Sequence, residues 1–189
     1  MKRLMVIICA TLITVLAQAQ EHMAFKDVSM NCTVESFVSQ LKLKGYTVAV
    51  LRDNSAILTG SFAGKDNCEI YVYGTDNAKM VHLVAVKFSE HVSWSSLKNE
   101  YLSFKKSYTE KYGKPKSYEF FKNPYYEGDG YELQALKLDK CTFASVFTTT
   151  GGNIMLYLSD DKCVHVGYED SINAEIKTKE RDNIVSNDI

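Results

Sequence analysis

The sequence predicts an α+β domain in which an antiparallel sheet carries its helices on one face. Short runs of β-branched and aromatic residues alternate with Asp, Asn and Gly clusters, which is the pattern of strands joined by turns. A long 3.6-residue apolar stripe interrupts them, and glycines stand where helices must stop.

The first helix follows Asn31-Cys32-Thr33, where Asn31 or Thr33 can cap, because Val34, Phe37, Val38 and Leu41 fall on one helical face. Gly45 closes it. A meander comes next: Thr47 to Leu51, Ala56 to Phe62, Cys68 to Tyr73 and Met80 to Phe88, with turns at 53–54, 64–67 and 74–77. The second helix aligns Leu97, Tyr101, Phe104, Tyr108 and Tyr112 on one stripe, with Ser93 as cap and Gly113 and Pro115 as the stop. Strands are then expected at Ser117 to Phe121, Tyr131 to Leu138, Thr142 to Thr148, Asn153 to Leu158 and Cys163 to Tyr168. Asp170 or Ser171 caps a short last helix through Ile172 and Ile176, and residues 181–189 read as a flexible polar tail. Helix, glycine stop and meander occur twice, so repeats are expected over about 30–90 and 92–180 of a single domain spanning 20–180. Lys79-Met80-Val81-His82-Leu83 echoes Lys162-Cys163-Val164-His165-Val166.

The start of the chain reads as a signal peptide, residues 1–19. Met1-Lys2-Arg3 is basic, Leu4 to Ala17 is apolar, and Ala17-Gln18-Ala19 has the small-x-small pattern of a cleavage site. The apolar run is short for a spanning helix, which needs about 20 residues. Cys9 follows the bulky Ile8 and does not fit a lipoprotein signal. The expected product is exported, periplasmic or extracellular, with no membrane span. Loss of Lys2 and Arg3 lowers the 22 basic residues to 20, against 23 acidic ones, a balance of −3 that does not favour nucleic acid as partner.

Cys32, Cys68, Cys141 and Cys163 remain after cleavage. An even number in an exported chain favours disulfides, with three connectivities open; pairing within each repeat, Cys32 with Cys68 and Cys141 with Cys163, is the expectation. Buried free thiols, packing as small hydrophobes, are the alternative. No Cys-x-x-Cys pair and no histidine at ligand spacing points to zinc.

The repeated helix, glycine and meander, with its cysteines, resembles the tandem-repeat fold of the β-lactamase inhibitor protein family. That resemblance implies protein binding on a concave sheet face. Trp94-Ser95-Ser96-Leu97, Tyr101 and Lys111-Tyr112-Gly113-Lys114-Pro115 also resemble secreted proteins of gut Bacteroidetes, a likeness that implies no activity.

No catalytic motif stands out, and no cofactor or metal is expected. There is no Gly-x-Ser-x-Gly elbow. Glu127-Gly128-Asp129-Gly130 lacks the oxygen ligands of a calcium loop, and Gly151-Gly152 precedes a strand, as in a hairpin turn. Alternation in the last strand puts His165 opposite the apolar face, and the echo puts His82 with it. Tyr71 and Tyr73 alternate with Cys68, Ile70 and Val72 and belong on the same open face. Tyr125 and Tyr126 lie in a turn-rich loop. Tyrosine suits interfaces, giving large contact area and a polar tip. The expected function is a non-enzymatic binding module for a protein or cell-surface polymer, using Tyr71, Tyr73, His82, Tyr125, Tyr126 and His165. A small envelope hydrolase with His82 or His165 as base is the alternative, and it requires an acid and a nucleophile within reach of the histidine.

Overall fold

A computed structural model of the chain describes residues 21–188. The predicted signal peptide lies outside the described residues. Among the described residues two antiparallel sheets and four helices form an α+β fold, with the elements in the order β1 (Ala24–Phe25), β2 (Val28–Ser29), α1 (Val34–Leu43), β3 (Thr47–Arg52), β4 (Ser55–Phe62), β5 (Lys65–Gly74) and β6 (Val81–Lys87). Then come α2 (Trp94–Tyr112), β7 (Lys116–Phe121), α3 (Glu132–Lys137), β8 (Cys141–Thr148), β9 (Gly152–Leu158), β10 (Val164–Asp170) and α4 (Ser171–Asp188).

Eight strands make one sheet in the order β3-β4-β5-β6-β10-β9-β8-β7. Each helix-led half therefore lays down four strands outward-in, and the last strand of each half pairs with the other at the centre. The register there runs from His165 opposite Lys87 to Glu169 opposite Leu83. Alternation then decides each residue's side. Val84 and Val86 of β6, with Val164 and Val166 of β10, are all fully buried.

Helices α1 and α2 cover that buried face. Thr33 Oγ1 accepts the Ser36 N–H at the start of α1, whose Val34, Phe37, Val38 and Leu41 pack on β3, β4 and β5. Its end is released at Gly45, where φ is +91°, a conformation costly for residues with a Cβ. Ser93 caps α2, which buries Leu97, Tyr101, Phe104 and Tyr108 against β8, β9 and β10. Tyr101 keeps its hydroxyl satisfied at depth, donating to Glu119 at 3.0 Å and meeting Ser145 Oγ at 2.7 Å.

The β1–β2 hairpin was not visible in the sequence. Lys26 and Asp27 both take positive φ, the geometry of a two-residue turn, and the hairpin sinks Phe25 and Val28 into the core. Phe25 stacks on Phe62 and meets the edge of Tyr168. The fully buried Asp170 carboxylate holds this segment, accepting the Met23 N–H at 2.7 Å and contacting His22 Nδ1 at 3.1 Å. The same carboxylate caps α4 through the Asn173 N–H at 2.8 Å.

Three expectations are corrected. Tyr131 to Leu138 is not a strand: α3 occupies Glu132–Lys137, and Glu132, Ala135 and Leu136 are buried at helical spacing. That segment lacks any β-branched residue and is made of good helix formers. The last helix is not short: α4 continues from Ser171 to Asp188, with no Gly or Pro to stop it. Glu180 anchors it, its carboxylate accepting the N–H groups of Asp76, Asn77 and Ala78 at 2.7 to 3.2 Å.

The disulfides are the third. All four cysteines among the described residues are free thiols. β9 separates the strand of Cys141 from β10, which Cys163 precedes; strands two apart lie about 10 Å from each other, beyond the roughly 7 Å Cα limit for a bridge. Burial pushes the Cys141 and Cys163 thiols up to about 12 and about 11, and raises Cys32 and Cys68 as well, so all four behave as packing groups.

The α2 stripe gives a direct test. Phe104, 8% exposed and 4.4 Å from the Phe88 ring, is a core residue, whereas Leu102, 40% exposed, points outward. Phe104→Ala is expected to cost about 3 kcal/mol or more in urea unfolding, and Leu102→Ala under about 1 kcal/mol. Equal losses would contradict the assigned helix face.

Candidate functional site

The face opposite α1 and α2 is built by the alternate residues of every strand. Cross-strand pairing links Val50, Ile57, Tyr71, Ala85, Gly167, Met155 and Val146 into one row, each opposite the next. It has no charged member until Lys116 on the far edge. Exposure along and beside it is high for apolar groups: Met155 45%, Tyr73 39%, and Tyr118 and Phe120 above 40%. At the middle the row narrows to Ala85 and Gly167, so larger side chains stand on either side of a low centre.

A second row runs alongside: Glu69, Lys87, His165, Tyr157, Ala144 and Tyr118. Its centre is ionic. Asp161 reaches in from the β9–β10 turn, 3.2 Å from Lys87 Nζ and 3.1 Å from His165 Nε2. Burial raises the Asp161 carboxyl, but His165 and Lys87 outweigh it and hold the group below the ordinary Asp range; the hydrogen bond to Asp161 in turn raises Lys87. The His165 ring stacks on Tyr157 with centroids 5.2 Å apart. Tyr71 donates its hydroxyl to Glu69, and that bond first, then burial, pushes the phenol up to about 12. Tyr71 is thus a neutral, positioned side chain at ordinary pH.

Tyr71, Tyr73 and His165 are together on this face. His82 is not. It is only 9% exposed and shares the buried side with Val84 and Val86. The register slips between Tyr73 opposite Leu83 and Gly74 opposite Val81, leaving His82 as the extra residue of a β-bulge. The echo with His165 pointed to the wrong face; the spacing to Val84 and Val86 was the usable signal. Burial, with the Lys177 charge of α4 nearby, pulls the imidazole down to about 4, and its Nε2 has no hydrogen-bond partner.

Tyr125 and Tyr126 belong elsewhere too. Their loop is joined to α2 by the ion pair of Lys98 and Glu127, and to α3 by the Gly128 N–H donating to Glu132 at 2.8 Å. Both contacts lie on the helix side. Tyr125 packs against the core, and Tyr126 is 64% exposed. Among the described residues, no group of three His, Cys, Asp or Glu could hold a metal ion, and no helix is long and apolar enough to cross a membrane. His165 has an acid in Asp161 and no hydroxyl or thiol nucleophile among its polar contacts. The residues that sequence reasoning missed are Met155 and Tyr157 of β9, although the alternation of Ile154, Leu156 and Leu158 marked them as outward.

Comparison with protein-family models, curated proteins and solved structures gives no match.

His82 makes the pH behaviour testable. Its folded pKa of about 4 lies below the unfolded value of 6.5, so the unfolded chain takes up the proton first as pH falls. Its stabilising contribution is complete above pH 6.5 and is lost as pH drops towards about 4, by about 3 kcal/mol. Urea unfolding of the wild type and His82→Leu at pH 7 and pH 4.5 is expected to show a flatter dependence in the variant. Parallel dependences would contradict the buried, neutral assignment.

Proposed function

We propose that the protein is an exported, non-enzymatic binding module that uses the open sheet face to hold a partner protein. The observation that supports this most is the seven-residue apolar row crossing the sheet, which no helix among the described residues is seen to cover and on which Val50 and Met155 are exposed. Its six inter-strand steps of about 4.8 Å reach roughly 29 Å, which suits a standard protein interface of about 800 Å² per partner better than a small molecule. Met155 is exposed within the row and Tyr73 and Tyr118 are exposed beside it, residue types that interfaces favour at the centre, while Glu69, Lys87 and Glu169 form polar surroundings.

A hydrolase with His165 as base draws only on the Asp161 contact. No hydroxyl or thiol among the described residues is hydrogen-bonded to the imidazole to serve as its nucleophile.

The test is affinity. A partner captured from envelope extract on the immobilised protein, then purified, is expected to bind Tyr71→Ala or Tyr73→Ala about thirtyfold more weakly, corresponding to about 2 kcal/mol at an interface hot spot. Both variants should keep the wild-type melting temperature. Unchanged affinity in both would remove this face as the binding surface.

A further inference from the structure

On the helix side, a cavity of about 500 Å³ opens between the β1–β2 hairpin, the β4–β5 turn and the last turns of α2. Its size falls within the range of small-ligand sites, about 300 to 1,000 Å³. Phe62, Tyr108, Tyr112 and Tyr168 supply aromatic walls, and Lys26 and Lys111 stand at its rim.

The floor carries an unanswered donor. Tyr108 and Tyr168 are 8% and 6% exposed, and their hydroxyls meet each other at 2.5 Å with no other partner among the described residues. Two phenols hold two hydroxyl protons, and one bond between them uses one. The second O–H has no acceptor among the described residues, both tyrosines line the cavity, and a buried donor without an acceptor is costly.

The rim is cationic. Neither Lys26 nor Lys111 forms an ion pair with a described residue, and Lys111 Nζ rests 5.1 Å from the Tyr112 ring centroid. Asp27, the one carboxylate lining the cavity, is 3.9 Å from Lys44. Negative charge has no other cation to meet among the residues lining the cavity, so the two lysines are the place for it.

We propose that this cavity binds a small amphipathic carboxylate, with its charge between Lys26 and Lys111, an aromatic body against Phe62 and Tyr112, and a hydrogen-bond acceptor at the inner end for the tyrosine pair. The site lies on the face away from the apolar row and is independent of the protein-binding reading.

The probe is 4-(4-acetylphenyl)butanoate, followed by calorimetry and ligand-observed NMR. Saturable binding tighter than about 1 mM is expected. The matching neutral alcohol should bind at least about tenfold more weakly, as should the acid to Lys26→Gln/Lys111→Gln, whose exposed substitutions leave the fold intact. Tyr108→Phe/Tyr168→Phe should weaken the ketone acid and leave 4-phenylbutanoate, which lacks the inner acceptor, unchanged. Absence of saturable binding at about 5 mM, equal binding of acid and alcohol, or equal binding by the lysine variant would overturn the proposal.

Discussion

Everything in this molecule follows from the pairing of β6 with β10. Those strands end the two helix-led halves, and their antiparallel register joins two four-stranded meanders into one sheet of eight. A continuous sheet has only two faces. Once α1 and α2 cover one, alternation hands every second residue of all eight strands to the other. The central pair also seals the core, because Val84, Val86, Val164 and Val166 converge there without exposure. Each such side chain contributes about 1.5 to 3 kcal/mol by leaving water. Joining the halves and defining the open face are therefore one event.

The open face carries tension of its own. An exposed apolar strip on a long sheet invites association, and this one is bordered rather than interrupted by charge. Asp161 gathers Lys87 and His165 at one side of the strip, and Glu69 ties down Tyr71. Fixing those side chains in advance lowers the entropy lost when a surface is covered. The sheet edges are protected differently: β3 has a bulge between Val48 and Val50, and β7 carries Lys116 and a Glu119 paired with Lys105. Edge pairing is discouraged while the broad face stays available.

Much of the fold was legible in the residues because local chemistry agreed with tertiary demand. Thr33, Ser93, Gly45 and Gly113 punctuate the helices as their types require, and the Ile70 and Val72 alternation places Tyr71 and Tyr73 outward. What escaped had a tertiary cause. Ala24–Phe25 and Val28–Ser29 are too short to register as strands, and only the Asp170 carboxylate and the Phe62–Tyr168 corner give them a place. Glu132-Leu133-Gln134-Ala135-Leu136-Lys137 kept its helical preference although the surrounding meander argued for strand. The echo with His165 misplaced His82, whose two-residue spacing from Val84 and Val86 already puts it on the buried side, while the bulge there lets Val81 be buried as well. The cysteines were paired by compartment logic, which carries no geometry; the interposed β9 decided against Cys141 with Cys163.

The division of the molecule into one sealed and one open face can be measured with methionine. Met155 lies in the apolar row at 45% exposure, whereas Met30 and Met23, under the helices and hairpin, are 0% and 7% exposed. Limited peroxide oxidation of the purified protein, read by peptide mass spectrometry, is expected to convert Met155 to sulfoxide at least about tenfold faster than either of the others, since oxidation follows access to the sulfur. A Met155 protected as well as Met30 would mean that the sheet face is covered, and would contradict the account.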